Sequence, residues 1–214
     1  MCGKFTQDLN DAELDRVMPS LAVETVTPMR FASVVRLGAQ GVREIARMRW
    51  GLVPADAADP NIGTKFIHAR AETIEQKPTF RDAFFRRRGL VVVGSFNEGK
   101  EITPKKTEQY VVTPRGRLSL AIAVIWERWN GPAPVPLESF AMVTTPPNAL
   151  IASITDRMPA VIADADWGKW LGETPATIDE LKAILKPSDI AMDMERAGKP
   201  PPPPRPAPVQ GSLF

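Results

Sequence analysis

Short runs of apolar residues, some alternating with polar residues and some continuous, dominate the pattern along the chain. Ala46, Met48 and Trp50 alternate with two arginines, which predicts a half-buried strand with a basic outer face. The continuous apolar run at residues 90–93 is typical of a buried strand. Further strands are predicted near residues 110–112, 118–126, 140–144 and 160–162. Many short strands separated by Gly and Pro indicate a β-rich fold.

Only short helices are predicted between these strands. Their signals lie at Asn10 to Met18, ended by Pro19; from Thr79 onward; after Asp164, ended by Gly172; and after Thr177, which forms a capping box with Glu180. The sequence therefore predicts one α+β domain over residues 2–190, with a barrel-like antiparallel sheet and a few short helices.

The composition changes near the C-terminal end. Residues 199–209 contain seven prolines, so we expect residues 191–209 to form a disordered but stiff linker of polyproline II type. The last five residues are Gln210-Gly211-Ser212-Leu213-Phe214. Either they are an incidental disordered tail, or Leu213 and Phe214 insert into an apolar pocket on a partner, with Gln210 as the polar anchor.

The overall composition excludes several classes of protein. A formal net charge of +2 leaves no overall polycation, so any surface for nucleic acid must be a local patch. One cysteine excludes an intramolecular disulfide and a cysteine-based metal cluster, and the single histidine, His68, argues against a His-based zinc site. We therefore expect neither a metal nor a cofactor. With no signal peptide and no apolar run that could span a bilayer, we expect a cytoplasmic protein without membrane contact.

Cys2 is a candidate nucleophile because of its position. Removal of the initiator Met1 would leave a free 1,2-aminothiol, which condenses with aldehydes to an imine and then to a five-membered thiazolidine ring. The unperturbed amine titrates at about 8 and the thiol at about 8.5, so modest electrostatic help would leave a reactive fraction of each at pH 7. Gly3 has no Cβ and lets a ligand come close. The alternative is that Cys2 is a small buried hydrophobe.

Two charged features each allow two interpretations. Glu98 follows the predicted strand at residues 90–93, so it is either a solvated loop acid or a catalytic acid/base held on a rigid element. The run Arg86-Arg87-Arg88 is either a solvated edge or part of a phosphate-binding surface.

Several blocks of sequence, in order over roughly residues 2–172, resemble the SOS-response-associated peptidase (SRAP) family. The matching blocks are residues 1–5, 48–54, 68–73, 80–84, 96–98, 126–129 and 143–159. The resemblance implies a DNA-damage protein that recognises abasic sites in single-stranded DNA and links to them covalently, as a thiazolidine, through Cys2. It also implies autocatalytic loss of Met1, which is the peptidase activity, and it is compatible with a lyase-like reaction.

The resemblance also assigns roles to charged residues. Glu98 matches the acid/base glutamate of the family, which would assist opening of the sugar ring and proton transfer. Arg70 and Arg157 match residues that hold the DNA backbone beside the lesion. Lys4 and Arg81 would extend this surface through phosphate contacts.

Two positions depart from the family pattern. His68 stands where the family usually has Asn, and Thr155 stands where it usually has His. One hypothesis is that the acid/base function has moved to His68. The other is that Thr155 leaves a site that binds DNA but links slowly or reverses poorly.

The five C-terminal residues separately resemble the bacterial sliding-clamp-binding peptide, with Gln210, Leu213 and Phe214 at its fixed positions. A clamp contact would tether the protein to replication forks and the nucleoid and raise its concentration there. Two alternative functions remain: an N-terminal-nucleophile amidohydrolase, in which Cys2 attacks an amide, and a non-catalytic, clamp-associated DNA-binding module.

Overall fold

Two β-sheets form the framework of the protein; the computed structural model describes residues 2–7, 23–132 and 134–198. The strands are β1 Lys4–Gln7, β2 Glu24–Val26, β3 Phe31–Leu37, β4 Arg43–Trp50, β5 His68–Arg70, β6 Arg88–Val93, β7 Ser95–Thr103, β8 Lys106–Pro114, β9 Leu120–Trp129, β10 Leu137–Thr145, β11 Met158–Pro159, β12 Val161–Ile162 and β13 Met192–Arg196. The helices are α1 Pro78–Arg86, α2 Trp167–Leu171 and α3 Ile178–Ile184, with 3-10 turns at Pro60–Lys65, Ile151–Ser153 and Asp164–Asp166. The predicted fold class, a strand-rich α+β domain with few short helices, is confirmed. The helix predicted at residues 10–18 and the peptide at residues 210–214 lie outside the described residues.

The smaller sheet has the strand order β13-β8-β7-β1-β2, and the larger sheet has the order β11-β10-β4-β3-β6-β9-β12, with β5 paired to β10. Most neighbours run antiparallel, as predicted, but β10 runs parallel to both β4 and β5. These two pairings depart from the predicted antiparallel arrangement. Parallel neighbours need a crossover connection, and here the chain between them includes α1 and several strands.

The larger sheet separates two hydrophobic cores. The inter-sheet core, between the two sheets, includes Cys2, Phe5, Val34, Met48, Trp50, Val91, Val93, Phe96, Ile122, Val124, Phe140 and Met142. The helical core, between the larger sheet and the helices, includes Leu52, Phe80, Phe84, Leu90, Val92, Ala123, Ile125, Val143, Trp170 and Leu181. Successive residues of a strand point to opposite faces, so β6 and β9 supply both cores and are apolar at nearly every position.

The C-terminal boundary of the domain lies later than expected. Residues 191–209 were predicted as a linker, whereas Met192–Arg196 form β13 and pair with β8. Met192 and Met194 alternate with acidic residues and pack against the inter-sheet core, which explains why this segment joins the sheet.

The helical layer follows its local sequence signals. Thr177 and Glu180 form the predicted capping box at the start of α3. Gly172 ends α2 with φ of 94°, a conformation that a residue with a Cβ rarely adopts. No helix in the described ranges is long and apolar enough to cross a membrane.

Candidate active site

The N-terminal strand places Cys2 beside Glu98. β1 lies between β2 and β7, and its first residue, Lys4, pairs with Asn97. In an antiparallel pair, the residues that precede Lys4 run alongside those that follow Asn97, the first of which is Glu98. A nucleophile and a carboxyl that are far apart in the sequence are thereby brought together.

The Cys2 side chain is almost completely buried, with 1% of its surface exposed. Its Sγ donates a hydrogen bond to the carbonyl oxygen of Lys4 at 3.4 Å. Burial, followed by the negative charge of Glu98, raises the pKa of the Cys2 thiol to about 12, and hydrogen bonds with the backbone of Lys4 and Asn97 lower it only in part. The expectation that this thiol titrates near neutrality is therefore wrong. Because the apolar surroundings disfavour a thiolate, the thiol needs a neighbouring base to react.

Glu98 is a fully buried carboxyl on β7 and not a solvated loop acid. Burial raises the pKa of Glu98 to about 7, a hydrogen bond from the Cys2 backbone lowers it in part, and the charge of Asp156 raises it further. A carboxyl with this pKa can take up and return a proton at physiological pH. This position and this pKa fit the acid/base role that the resemblance assigns to Glu98.

β5 brings His68 next to Cys2 and Glu98, and these three residues are the core of what we call the Cys2 pocket. The imidazole forms a hydrogen bond with the Cys2 backbone. Burial lowers the pKa of His68 to about 4, and the positive charge of Arg157 contributes to the lowering. The Nε2 atom is buried and has no hydrogen-bond partner among the residues that the structure describes. At physiological pH, His68 is a neutral imidazole beside Cys2 with one nitrogen available to a ligand.

Aromatic side chains fix the wall of this pocket. The Trp50 ring lies 5.1 Å from Phe5, 6.3 Å from Phe140 and 6.0 Å from His68, measured between centroids. Its indole nitrogen donates to the carbonyl oxygen of Ile67 at 2.9 Å. The contacts join β1, β4, β5 and β10, so the positions of the N-terminal strand and of His68 depend on one buried ring.

Arg157, predicted to contact the DNA backbone, is largely buried and is paired within the protein. Its Nη1 and Nη2 donate to the two carboxylate oxygens of Glu72 at 2.6 and 3.0 Å, and Nη2 also donates to the carbonyl oxygen of Thr144 at 2.6 Å. Arg157 therefore already has an internal anionic partner.

Lys4 and Arg70 are exposed cations on the two strands that build the pocket, β1 and β5. Since both are at the surface and follow Cys2 and His68 closely in the chain, they can attract phosphates to this part of the molecule.

Two predicted site residues are less directly connected to Cys2. Arg81 is an exposed residue of α1, which packs in the helical core on the other side of the larger sheet, and its guanidinium lies 5.8 Å from the Phe85 ring. Thr155 is half-buried after the 3-10 turn, where its backbone N–H donates to the carbonyl oxygen of Ile151 at 3.0 Å. The structure thus unites Cys2, Glu98 and His68 but does not bring Arg81 to them.

Two further features of the site had no assigned role in the sequence analysis. Glu72 pairs with Arg157 across 85 positions of the chain, and Asn97 is buried with an Nδ2 atom that lacks a partner among the described residues. Glu72 belongs to a recognisable motif block, but only its contact with Arg157 reveals what its carboxylate does. No pattern in the neighbouring sequence indicates that the Asn97 side chain is buried.

The residues described in the structure offer no group of three or more His, Cys, Asp or Glu side chains that could hold a metal ion.

Comparisons with known proteins agree with this geometry. The family model described as SOS response associated peptidase (SRAP) matches residues 1–199. The chain is 32% identical over 208 residues to the abasic site processing protein YoqW of Bacillus subtilis, covering 91% of this chain and 90% of YoqW. It is 29% identical over 166 residues to the abasic site processing protein HMCES of Xenopus tropicalis, covering 66% of this chain and 49% of HMCES. A solved structure from Bordetella bronchiseptica has the same fold, with a TM-score of 0.76, 21% identity, and coverage of 92% of this chain and 100% of that one.

Proposed function

Because the chain belongs to the SOS response associated peptidase family, we propose that it recognises abasic sites in single-stranded DNA and forms a covalent cross-link to them through Cys2. The names of its relatives, abasic site processing proteins, support this class of substrate. The proposal extends to a role in the response to DNA damage, at sites where such lesions are exposed.

The observation that carries the proposal is the meeting of Cys2, Glu98 and His68 in one buried pocket. Cys2 lies just before β1, Glu98 on β7 and His68 on β5, and the backbone of Cys2 hydrogen-bonds both other side chains. A thiol held next to a carboxyl of pKa about 7 and a neutral imidazole is suited to proton transfers around a carbonyl carbon.

The proposed reaction uses the aldehyde form of the abasic sugar. After loss of Met1, the Cys2 amine adds to the aldehyde carbon, and loss of one water gives an imine. The thiol sulfur then adds to the imine carbon while its proton passes to the nitrogen, which closes the thiazolidine. Overall, one aldehyde, one amine and one thiol give the ring and one water. Glu98 accepts a proton from the attacking group and returns it to the leaving oxygen.

Removal of Met1 would be an activity of the protein itself. In this step Glu98 would take the proton of the Cys2 thiol, and the sulfur would attack the carbonyl carbon of Met1. The Met1–Cys2 amide bond then breaks, and its nitrogen takes the proton from Glu98 to become the free amine of Cys2. Water hydrolyses the resulting thioester, which releases Met1 and restores the thiol. The raised pKa of the thiol, about 12, makes the step dependent on that carboxyl.

His68 is the proposed carrier of the acid/base function that the family usually places at the position of Thr155. Its hydrogen bond to the Cys2 backbone and its unpartnered Nε2 favour this assignment. If it is correct, His68→Ala slows cross-linking to an abasic oligonucleotide, and Thr155→His restores part of the rate. An unchanged rate in His68→Ala would refute the relocation.

The proposed DNA contacts start from the surface cations next to the pocket, Lys4 and Arg70. Arg157, which is more deeply buried, would add a contact beneath them. Arg81, on the helical side, would contact only DNA that is more distant from the lesion. The sliding-clamp contact through Gln210, Leu213 and Phe214 remains a proposal from sequence alone. A variant that lacks residues 210–214 should lose clamp binding in a pull-down and keep its cross-linking rate.

Intact mass spectrometry tests the central proposal. We expect the purified protein to lack Met1 and, after incubation with an abasic single strand, to carry a denaturation-resistant adduct on its N-terminal peptide. Cys2→Ala should form no such adduct, and an intact strand of the same sequence is the control. A working protein that retains Met1, or an adduct that persists in Cys2→Ala, would refute the proposed chemistry.

A further inference from the structure

Glu72 and Arg157 form a two-point ion pair at the edge of the pocket. The Nη1–Oε1 distance is 2.6 Å and the Nη2–Oε2 distance is 3.0 Å. The Arg157 side chain is only 11% exposed, whereas Glu72 is 45% exposed. The carboxylate therefore covers the guanidinium from the solvent side, which is the side from which an anionic ligand would approach.

The position of Arg157 does not depend on Glu72 alone. Its Nη2 also donates to the carbonyl oxygen of Thr144 at 2.6 Å and contacts the Thr144 hydroxyl at 3.2 Å. The Nε atom is buried and has no partner among the described residues. The guanidinium is thus fixed from behind by β10, with one donor uncommitted, and would stay in place if the carboxylate moved away.

A second cation lies near the same carboxylate. Arg70 is exposed at the end of β5, two residues before Glu72, and its charge, like the hydrogen bond from Arg157, lowers the pKa of Glu72. Glu72 therefore stays ionised at physiological pH, and its single negative charge offsets part of the positive charge of the two arginines. A DNA phosphate that approached these arginines would have to displace it or accept its repulsion.

We infer that Glu72 limits the affinity of the protein for DNA: its carboxylate occupies Arg157 in the way that a DNA phosphate would, and so weakens binding of the strand backbone, which leaves strands that offer only a backbone weakly bound. The inference rests on the proposed function. An undamaged strand gains phosphate contacts alone and must compete with Glu72. A strand with an abasic sugar gains additional interactions in the Cys2 pocket, which offset the competition.

Glu75 provides a matched control. It lies three residues from Glu72 and also pairs with a cation, Lys182 of α3, so Glu75→Gln removes the same charge from the same neighbourhood of the sequence. Its partner belongs to the helical layer and not to the Cys2 pocket. Glu72→Asp keeps the charge and shortens the side chain, which separates the effect of charge from the effect of position.

The experiment measures binding of fluorescent single strands, intact or with one abasic site, to the full chain over a series of salt concentrations. The abasic strand carries a tetrahydrofuran analogue of the abasic sugar, which has no aldehyde, so that only reversible binding is measured. For the intact strand, Glu72→Gln should bind roughly two- to fivefold more tightly, the range of a partly exposed ion pair. Its slope of log affinity against log salt should steepen by about 0.7, the value for one additional phosphate on a single strand. The abasic strand should gain by about the same factor, because it offers the same phosphates to Arg157.

Glu75→Gln and Glu72→Asp should bind like the parent. Unchanged or weaker binding of the intact strand by Glu72→Gln, or equal effects of Glu72→Gln and Glu72→Asp, would overturn the inference, since Glu72 would then only position Arg157. Thermal melting of each variant shows whether it is folded. A parent that binds neither strand would instead refute the proposed function, so the two failures can be told apart.

Discussion

Charged groups are treated differently on the two sides of the larger sheet. On the helical side, Arg88 donates from Nε to the carbonyl oxygen of Trp170 at 2.6 Å and from Nη1 to those of Phe84 and Phe85 at 2.9 and 2.7 Å. Carbonyl groups near helix C-termini are natural partners of a cation. This half-buried charge is well supplied with acceptors, and its role is structural.

On the inter-sheet side, the burial of polar groups is compensated less completely. The Nε2 atom of His68 and the Nε atom of Arg157 have no hydrogen-bond partner among the described residues, and the carboxyl of Glu98 has a pKa raised to about 7 by burial. Each such group costs free energy on folding. A cluster of them around Cys2 therefore indicates a site built for a ligand and for proton transfer, whereas Arg88 indicates a site built for stability.

Replacing Glu98 should have the largest effect on chemistry. We expect Glu98→Gln to slow adduct formation by roughly 10²–10⁴-fold, because general acid–base catalysis by one positioned group contributes about this much. The variant should be no less stable than the parent, since it removes a buried ionisable group. Rates come from gel-resolved time courses on an abasic strand and stability from urea titration. A large loss of stability would show that Glu98, like Arg88, has a structural role.

The pH dependence of stability separates the contributions of Glu98 and His68. The folded pKa of Glu98, about 7, lies above its ordinary value of 4.5, so its stabilisation is present below pH 4.5 and is lost as the pH rises to 7. The folded pKa of His68, about 4, lies below its ordinary value of 6.5, so its stabilisation is lost as the pH falls from 6.5 to 4. The two dependences act in opposite directions, and each changes the free energy of unfolding by up to about 3 kcal/mol.

We therefore expect the two single variants to respond to pH in opposite directions relative to the parent. Between pH 4.5 and 6.5, the stability of Glu98→Gln should rise with pH more steeply than that of the parent, and the stability of His68→Gln should fall with pH more steeply. Urea titrations at intervals of half a pH unit measure both. Identical pH profiles in all three proteins would show that neither group is buried as described.

Arg88→Met tests the helical side. Loss of hydrogen bonds from a charged group to three carbonyl oxygens should lower the free energy of unfolding by about 2–3 kcal/mol. The rate of adduct formation, measured below the unfolding transition, should not change, because no atom of Arg88 belongs to the Cys2 pocket. A lower rate in the folded variant would mean that the two sides of the sheet are coupled.

The smallest effect is expected at the start of α3. Thr177→Ala removes the N-cap side chain of the capping box and should cost about 1 kcal/mol of stability, with no change in DNA binding or cross-linking. Thr177→Ser, which keeps the hydroxyl, is the control and should resemble the parent.

Much of the fold could be predicted from local pattern. The alternation of Met48 and Trp50 with arginines, the apolar run at residues 90–93 and the capping box at Thr177 each report a constraint that acts within a few residues. The parallel pairings of β10 with β4 and β5 have no such signal, because they depend on which segments meet after the chain has crossed over. β13 was not predicted because its five residues adjoin the proline-rich stretch, and an alternation this short does not distinguish a strand from a linker.

The sequence predicts which residues form the candidate site, but not the pKa values of their side chains. The position of Cys2 and the motif blocks point to Cys2, Glu98 and His68, and the structure brings these together. The raised pKa of the Cys2 thiol depends on how completely the other strands cover it, which no sequence pattern around residue 2 contains. The contact of Arg157 with Glu72 likewise required the three-dimensional position of two distant segments.

The pairing of Lys4 with Asn97 has a consequence for the length of the N-terminus. One residue inserted between Gly3 and Lys4 would move the thiol about 3.3 Å along the strand direction and turn its side chain toward the opposite face. Such an insertion should therefore prevent cross-linking through Cys2 even when it leaves the fold intact. The register of β1 against β7 therefore requires that a single residue, Gly3, separates Cys2 from Lys4.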